Sequence, residues 1–503
     1  MRNLGKRLGA VAIAALLALL TACGSGGSGG DSDTLRIAVS ADISSLDPIK
    51  GNSGLDHVML YTIYDTLISF DAEMQPQPGL AEAWELVSPT ELRLDLRTGV
   101  KFHDGTDFDA EAVKYNLERG RGEGSNVAAD LSSISEVEVT DPQTVTIKLS
   151  DPDASILMVL ADRAGMMVSP TAAKAGEDDV SANPIGTGGW EYVDWKRGEA
   201  LKVKRFADYW DSEAVRVENI DFNVLTDPTT RVTSLKSGQQ DLALAIAASD
   251  AATVEAASGV ELFQAPSMLL NIVFLNTSSE ELSDPNVRRA LSLAINRDSL
   301  LSGAFFDRGT PAAGIVPEDY WATPPSSVKA DFDPDKAKSL LAEAGVSDLQ
   351  FDIITNADSA TVRTAEVLQQ QWENVGVTVN LMPRELVQAT NDFFVDKLAQ
   401  GYLSVWTGRP DPAMTYRSLF TEDSFYNAGA GTPGMSDALA ASDESLEPEK
   451  RKPGLDGAAE SVFENTSALP LAFSDLLIGH SDDVTGLTSN LLGKPKLIGV
   501  TIG

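Results

Sequence analysis

Apolar positions along this chain follow two spacings, and the places where one gives way to the other mark its elements. Leu35, Ile37 and Val39 alternate and predict a strand over residues 34–39. Leu92, Leu94 and Leu96 alternate with Arg93 and Asp95, the pattern of a half-exposed strand. Val137 and Val139, an Asp141-Pro142 turn, and Val145, Ile147 and Leu149 make a hairpin. A second hairpin follows the glycine-rich turn of Gly186, Gly188 and Gly189. Trp190, Tyr192 and Val193 lead into Lys196-Arg197-Gly198, and Leu201 and Val203 return in alternation with Lys202 and Lys204. Residues 220–225 and 272–276 read as further strands. Over residues 56–69, Val58, Leu60, Ile63, Leu67 and Ile68 predict a helix.

Four acidic residues start helices. Asp109 caps one through Tyr115 and Leu117, and Asp227-Pro228 starts one through Val232 and Leu235 that stops at Gly238. Asp284-Pro285 leads a helix with Val287, Ala290, Leu291, Ala294 and Ile295 on one face. Asp333-Pro334 leads another, with Leu340 and Leu341 inward and Gly345 as its stop. A strand through Leu349, Phe351 and Ile353, a helix over 360–375, Gly376, and a strand through Val377, Val379 and Leu381 form a β–α–β run. That run gives the later part of the chain α/β character.

At 503 residues the chain exceeds what one core can serve. Its formal charge of −35 repels phosphate, which excludes nucleic acid as a partner. Arg2, Lys6 and Arg7 precede an apolar run over 10–20 that is too short to span a bilayer, so residues 1–22 read as an export signal. It ends Leu20-Thr21-Ala22-Cys23, which resembles the lipobox of bacterial lipoproteins. The resemblance implies a lipid on Cys23, hence a chain anchored to the outer face of the cell membrane. Cys23 is the one cysteine, so no intramolecular disulfide forms. Residues 23–33, rich in Gly and Ser, read as a flexible tether.

The turn and second hairpin carry the string PIGTGGW at 184–190 and the triplet Asp208-Tyr209-Trp210. In order along the chain stand PQPGLAEAW at 76–84, GVKFHDG at 99–105, LKSGQQD at 235–241, DPNVRRALSLAI at 284–295 and FDPDKAKSLLAEAG at 332–345. Taken with their order, these strings resemble solute-binding protein family 5 of bacterial ABC importers, the peptide- and nickel-type binders. The resemblance covers nearly the whole chain after the tether. It implies an α/β, two-lobed periplasmic-binding-protein-like fold with an extra subdomain. One lobe would comprise residues 34–264 and 474–503, with its subdomain at about 71–183, and the other residues 265–473. It further implies a monomer that closes on a peptide or other small solute and delivers it to the transmembrane subunits of an ABC permease, without a cofactor or a metal.

In peptide-binding relatives a W-x-x-D string lines the cleft, and its aspartate holds the peptide's ammonium. Here the corresponding stretch is Trp406, Thr407, Gly408, Arg409, Pro410 and Asp411, which puts Arg409 or Gly408 where that acid is expected. A guanidinium repels an ammonium and suits a carboxylate. The expected solute therefore bears an acidic group facing Arg409, or is a peptide held differently; Arg409 bound to Asp411 or another acid is the competing reading. Asp411 is expected to accept from a cationic ligand group, and Asn52 and Ser53 to meet ligand from the first lobe. Opine, sugar-acid and metal-chelate solutes stand as alternatives to peptide, and a lipid-anchored sensor or adhesion receptor as a different role. Catalysis is not expected. His57, His103 and His480 share no metal-ligand spacing, the glycines of 429–434 lack the preceding strand of a dinucleotide site, and Asp331, Asp333 and Asp335 depart from a calcium loop at Lys336 and Ala342.

Overall fold

The computed structural model describes residues 33–51, 53–175, 180–422 and 424–503. An eleven-stranded sheet runs through them in the order Thr378–Arg384, Gln350–Asn356, Gly401–Trp406, Val260–Leu275, Ala468–Ser481, Leu242–Ala243, Thr34–Val39, Asn219–Val224, Ala200–Arg205, Trp190–Lys196. The short strand Gly309–Pro311 adds to Ala468–Ser481 off this path. Both ends of the sheet contain parallel pairs: Thr34–Val39 with Asn219–Val224 at one, Gln350–Asn356 with Thr378–Arg384 at the other. Between them lie two long antiparallel strands, Val260–Leu275 and Ala468–Ser481, whose pairing shifts register between Ala265 and Leu269.

Separate apolar clusters fill the two ends. Leu35, Ile37, Trp190, Leu201 and Phe222 belong to one, and Val273, Leu291, Phe351, Trp372 and Leu469 to the other. A four-stranded antiparallel sheet, Ala81–Ser88, Glu91–Leu96, Thr144–Leu149 and Ile134–Asp141 in that order, stands apart and carries the helix Ala110–Gly120. Its apolar face joins a third cluster that also contains Met268, Trp406 and Leu491.

The acidic starts cap their helices. Asp109, Asp227, Asp284 and Asp333 each accept a hydrogen bond from a backbone N–H of the first turn, and Gly238, Gly345 and Gly376 take positive φ after the last. Elsewhere the elements differ from expectation. The helix expected over 56–69 is only His57–Ile63. Tyr64 turns extended, and the N–H groups of Leu67 and Ile68 donate to the carbonyls of Gly165 and Leu160 instead of to a helix. The strand expected over 272–276 is the end of Val260–Leu275. The helix Pro448–Asn465 was unforeseen, because Pro453, Gly454 and Gly457 interrupt its pattern.

Candidate functional site

The strand Gly401–Trp406 ends at a loop whose geometry is set at three points. Gly408 takes φ +73°, and a side chain there would meet Met268 Cβ at 2.8 Å. Asp411 accepts from Ala413 N–H at 2.9 Å and caps the helix Pro412–Phe420, with Pro412 at its first position. Trp406 is 6% exposed; its Nε1 points at Thr415 Oγ1 at 3.5 Å, and Tyr426 packs edge-on at 5.3 Å. Between these anchors the Arg409 guanidinium lies 5.0 Å over the Trp406 ring. Trp406 is thus a platform for Arg409 more than an exposed wall, while Thr407 is exposed and Gly408 partly so.

Asp411 does not fill the ligand role expected of it. It is 1% exposed, and both carboxylate oxygens are taken by Arg451, at 2.6 and 2.8 Å. Nor does Arg409 pair with Asp411. Among the described residues no carboxylate comes within ion-pair distance of Arg409. The acid it does influence is Asp130, in the segment following the helix Ala110–Gly120. Burial pushes the Asp130 carboxyl up, Arg409 is the first charge to pull it back, Asp162 pushes it up further, and Lys494 adds a smaller pull down. Asp130 is open to solvent as a residue, yet its carboxyl is crowded by the groups around it, and it makes no ion pair of its own among the described residues. Its segment is tied down where Asn126 Nδ2 donates to the Lys50 carbonyl at 2.7 Å and Lys50 Nζ to the Gly124 carbonyl at 2.9 Å.

Below these two residues lies a buried charge network. Asp162 accepts from His57 Nε2 and, at 2.7 Å, from Lys494 Nζ. Burial pushes the Asp162 carboxyl up, but His57 and Lys494 outweigh it and hold it well below the usual range. Burial likewise pushes the Lys494 ammonium down against the pull of Asp162, with Arg163 and Arg409 adding to the push. Arg163 bonds Asp56 at 3.2 Å and donates to the Ser53 carbonyl. Ser53 itself accepts from Leu55 N–H, so its side chain starts a helical turn. The Tyr61 hydroxyl, beside Asp162 and Arg163, is buried with no hydrogen-bond partner among the described residues. The C-terminal segment joins this network to the loop: the Leu491 carbonyl accepts from Met268 N–H, and Met268 packs under Gly408. Asn52 and Cys23 lie outside the described residues.

The sequence pattern pointed to Arg409 through its neighbours. Asp130, Lys494 and Tyr61 carried no such signal, because each stands in a locally ordinary setting and only the chain's return brings them together. Among the described residues no group of histidines, cysteines and acids is arranged to hold a metal, and no helix is long and apolar enough to cross a membrane.

Residues 75–427 match the family model described as bacterial extracellular solute-binding proteins, family 5, middle. The chain belongs to that family. It is a solute-binding protein of an ABC import system, with the two-lobed α/β architecture of its structural neighbours. The glutathione-binding protein GsiB of Salmonella typhimurium is 30% identical over 90% of this chain and 91% of its own. The structure of NikZ from Campylobacter jejuni, in complex with Ni(L-His), is 25% identical with a TM-score of 0.80, covering 92% of this chain and 96% of that one. The substrate-binding protein CtaP of Listeria monocytogenes has the same fold, with a TM-score of 0.85 at 21% identity over 94% of this chain and all of its own.

Proposed function

We propose that this family member captures a small zwitterionic, peptide-type solute in the polarity opposite to that of a W-x-x-D binder. Arg409 takes the solute's carboxylate and Asp130 its ammonium. The observation that carries the reading is a guanidinium held over Trp406 whose charge acts on a crowded carboxylate, with neither neutralised by an ion pair among the described residues. A zwitterion supplies both missing counter-charges at once, with charge-assisted hydrogen bonds at each end. The GsiB relatives, named for glutathione, lend the peptide class support.

In this reading residues 34–264 with 474–503 form one lobe, with its subdomain at 71–183, and residues 265–473 the other. Asp130 and Arg409 then stand on opposite lobes, so a solute bridging them favours the closed form that the permease subunits recognise. The protein makes and breaks no bond in the solute, acts as a monomer, and is held at the outer membrane face by lipid on Cys23.

Native mass spectrometry of the unlipidated protein, purified without denaturant, tests the solute class; titration with di- to pentapeptides tests the residues. A ladder of bound masses fitting short peptides is expected, with Arg409→Ala and Asp130→Asn each weakening binding roughly 10- to 100-fold, the range for lost hydrogen bonds to charged groups. A bound non-peptide acid whose affinity falls only in Arg409→Ala would replace the peptide reading with an opine, sugar-acid or chelate one. Unchanged affinity in both variants overturns the assignment of both residues.

A further inference from the structure

The part of the molecule containing the helices Pro285–Leu293 and Arg297–Phe305 holds a cavity of about 20 Å³ that no residue of the Trp406–Asp411 loop lines. Arg289, Ser292 and Arg297 contribute to its lining, with Lys329, Tyr416 and Phe463. That volume accommodates one occupant of about the size of a water molecule.

Arg297 is bound less closely than two other buried arginines, Arg451 and Arg288. Arg451 is neutralised by Asp411, and Arg288 makes five hydrogen bonds of 3.2 Å or less to the carbonyls of Leu282, Ser283, Asn465 and Thr466. Arg297, 5% exposed, makes one short bond, from Nε to the Pro470 carbonyl at 2.8 Å. Among the described residues its two terminal nitrogens reach only the carbonyl and hydroxyl oxygens of Ser292, at 3.4 and 3.3 Å. A guanidinium carries five N–H donors, so the two terminal nitrogens of this cavity-lining side chain are only weakly engaged. Among the described residues no carboxylate forms an ion pair with it. The charge that acts on it has the same sign: burial and then Arg289 push Arg297 down to about 10. Arg289 lies 4.3 Å over Phe463 and is countered by Asp331 without an ion pair. An acidic protein has therefore left two arginines and a lysine around one small hollow with no acid among its lining residues.

We propose that this cavity is a binding site for a single small inorganic anion of halide size, chloride in ordinary buffers, held by Arg297 and Ser292 with Arg289 and Lys329 alongside. The site is independent of the solute cleft, and its occupation stabilises the folded protein in proportion to the logarithm of halide concentration.

Crystals of the full chain soaked in sodium bromide read the site directly, by anomalous scattering. The expected result is a bromide within hydrogen-bond distance of Arg297, and its absence from the cavity overturns the proposal. In solution, the unfolding midpoint in sodium chloride is compared with that in sodium gluconate, whose anion is too bulky to enter, at equal ionic strength so that screening is the same. A midpoint that rises further in chloride is expected, with the half-saturating concentration raised at least tenfold in Arg289→Gln combined with Lys329→Gln. Equal midpoints in the two salts overturn the proposal, and neither result bears on whether Arg409 binds solute.

Discussion

Arg409 and Asp411 stand two residues apart in one loop and have opposite fates. Asp411 is committed to Arg451, and because both are buried, removing the acid strands a cation in the interior. Asp411→Ala is expected to cost roughly 3–5 kcal/mol, read as a lowered midpoint in denaturant, and replacing Arg451 by Met in the same chain is expected to recover part of that loss. A midpoint unchanged in the single variant would show that the pair contributes nothing. The tryptophan string made this loop visible in the sequence, but not which of its charges was spoken for, since Arg451 arrives from a helix forty residues later. A second residue-scale case is His103. Its Nδ1 accepts from Gly186 N–H at 3.3 Å and its Nε2 faces the Gly188 carbonyl at 2.9 Å, an arrangement for the neutral ring. Burial pushes its value below the ordinary 6.5. In the interval between the two values the unfolded chain binds a proton that the folded one refuses. Its contribution is therefore whole above pH 6.5 and is lost as pH falls through the folded value, by about 1.4 kcal/mol for each tenfold change in proton affinity. Thermal melts from pH 7.5 down to 5 should show a shallower decline for His103→Asn than for the parent chain.

At the scale of elements, the capped helices were legible because a cap is a local event: an acid, a proline, then apolar residues at helical spacing. The glycine-rich turn was legible as a turn, yet its reason is not local. A side chain on Gly186 would come within 2.0 Å of the Ile63 carbonyl oxygen, and one on Gly188 within 2.5 Å of that of Thr62, so the turn lies directly on the end of the helix His57–Ile63. The helix Pro448–Asn465 shows how the same residue type divides by contact. On Gly454 an added Cβ would meet the Ala438 carbonyl at 2.6 Å and Ser442 N at 2.7 Å, whereas on Gly457 the nearest atom is Ala438 Cβ at an ordinary 3.8 Å. Gly457→Ala is accordingly expected to stabilise by about 0.5–1 kcal/mol, through the backbone entropy that glycine otherwise loses. Gly454→Ala is expected to destabilise, by forcing the helix Met435–Asp443 away. Equal effects of the two changes in a urea melt would show that the two helices do not approach closely at Gly454. This helix was invisible in the sequence for the same reason it packs closely: the glycines that allow the approach also erase the pattern.

For the molecule as a whole, a formal charge of −35 on 503 residues means that self-repulsion opposes compactness. Raising sodium gluconate from about 10 to 150 mM shortens the Debye length from roughly 30 to 8 Å, and the unfolding midpoint is expected to rise across that range; a flat response would mean that the acidic side chains are already spaced beyond each other's reach. The strand order has a different kind of consequence. Leu242–Ala243 pairs with Thr34–Val39 on one side and with His480 and Gly479 on the other, and Ala468–Ser481 also completes Val260–Leu275. The centre of the sheet is therefore supplied by a strand made only after both of its neighbours. Until then, both flanking strands present open edges, and no nascent fragment ending before residue 468 can finish the large sheet. Such a chain keeps its large sheet open, and so its earlier strands unpaired at that edge, until the strand Ala468–Ser481 has been made.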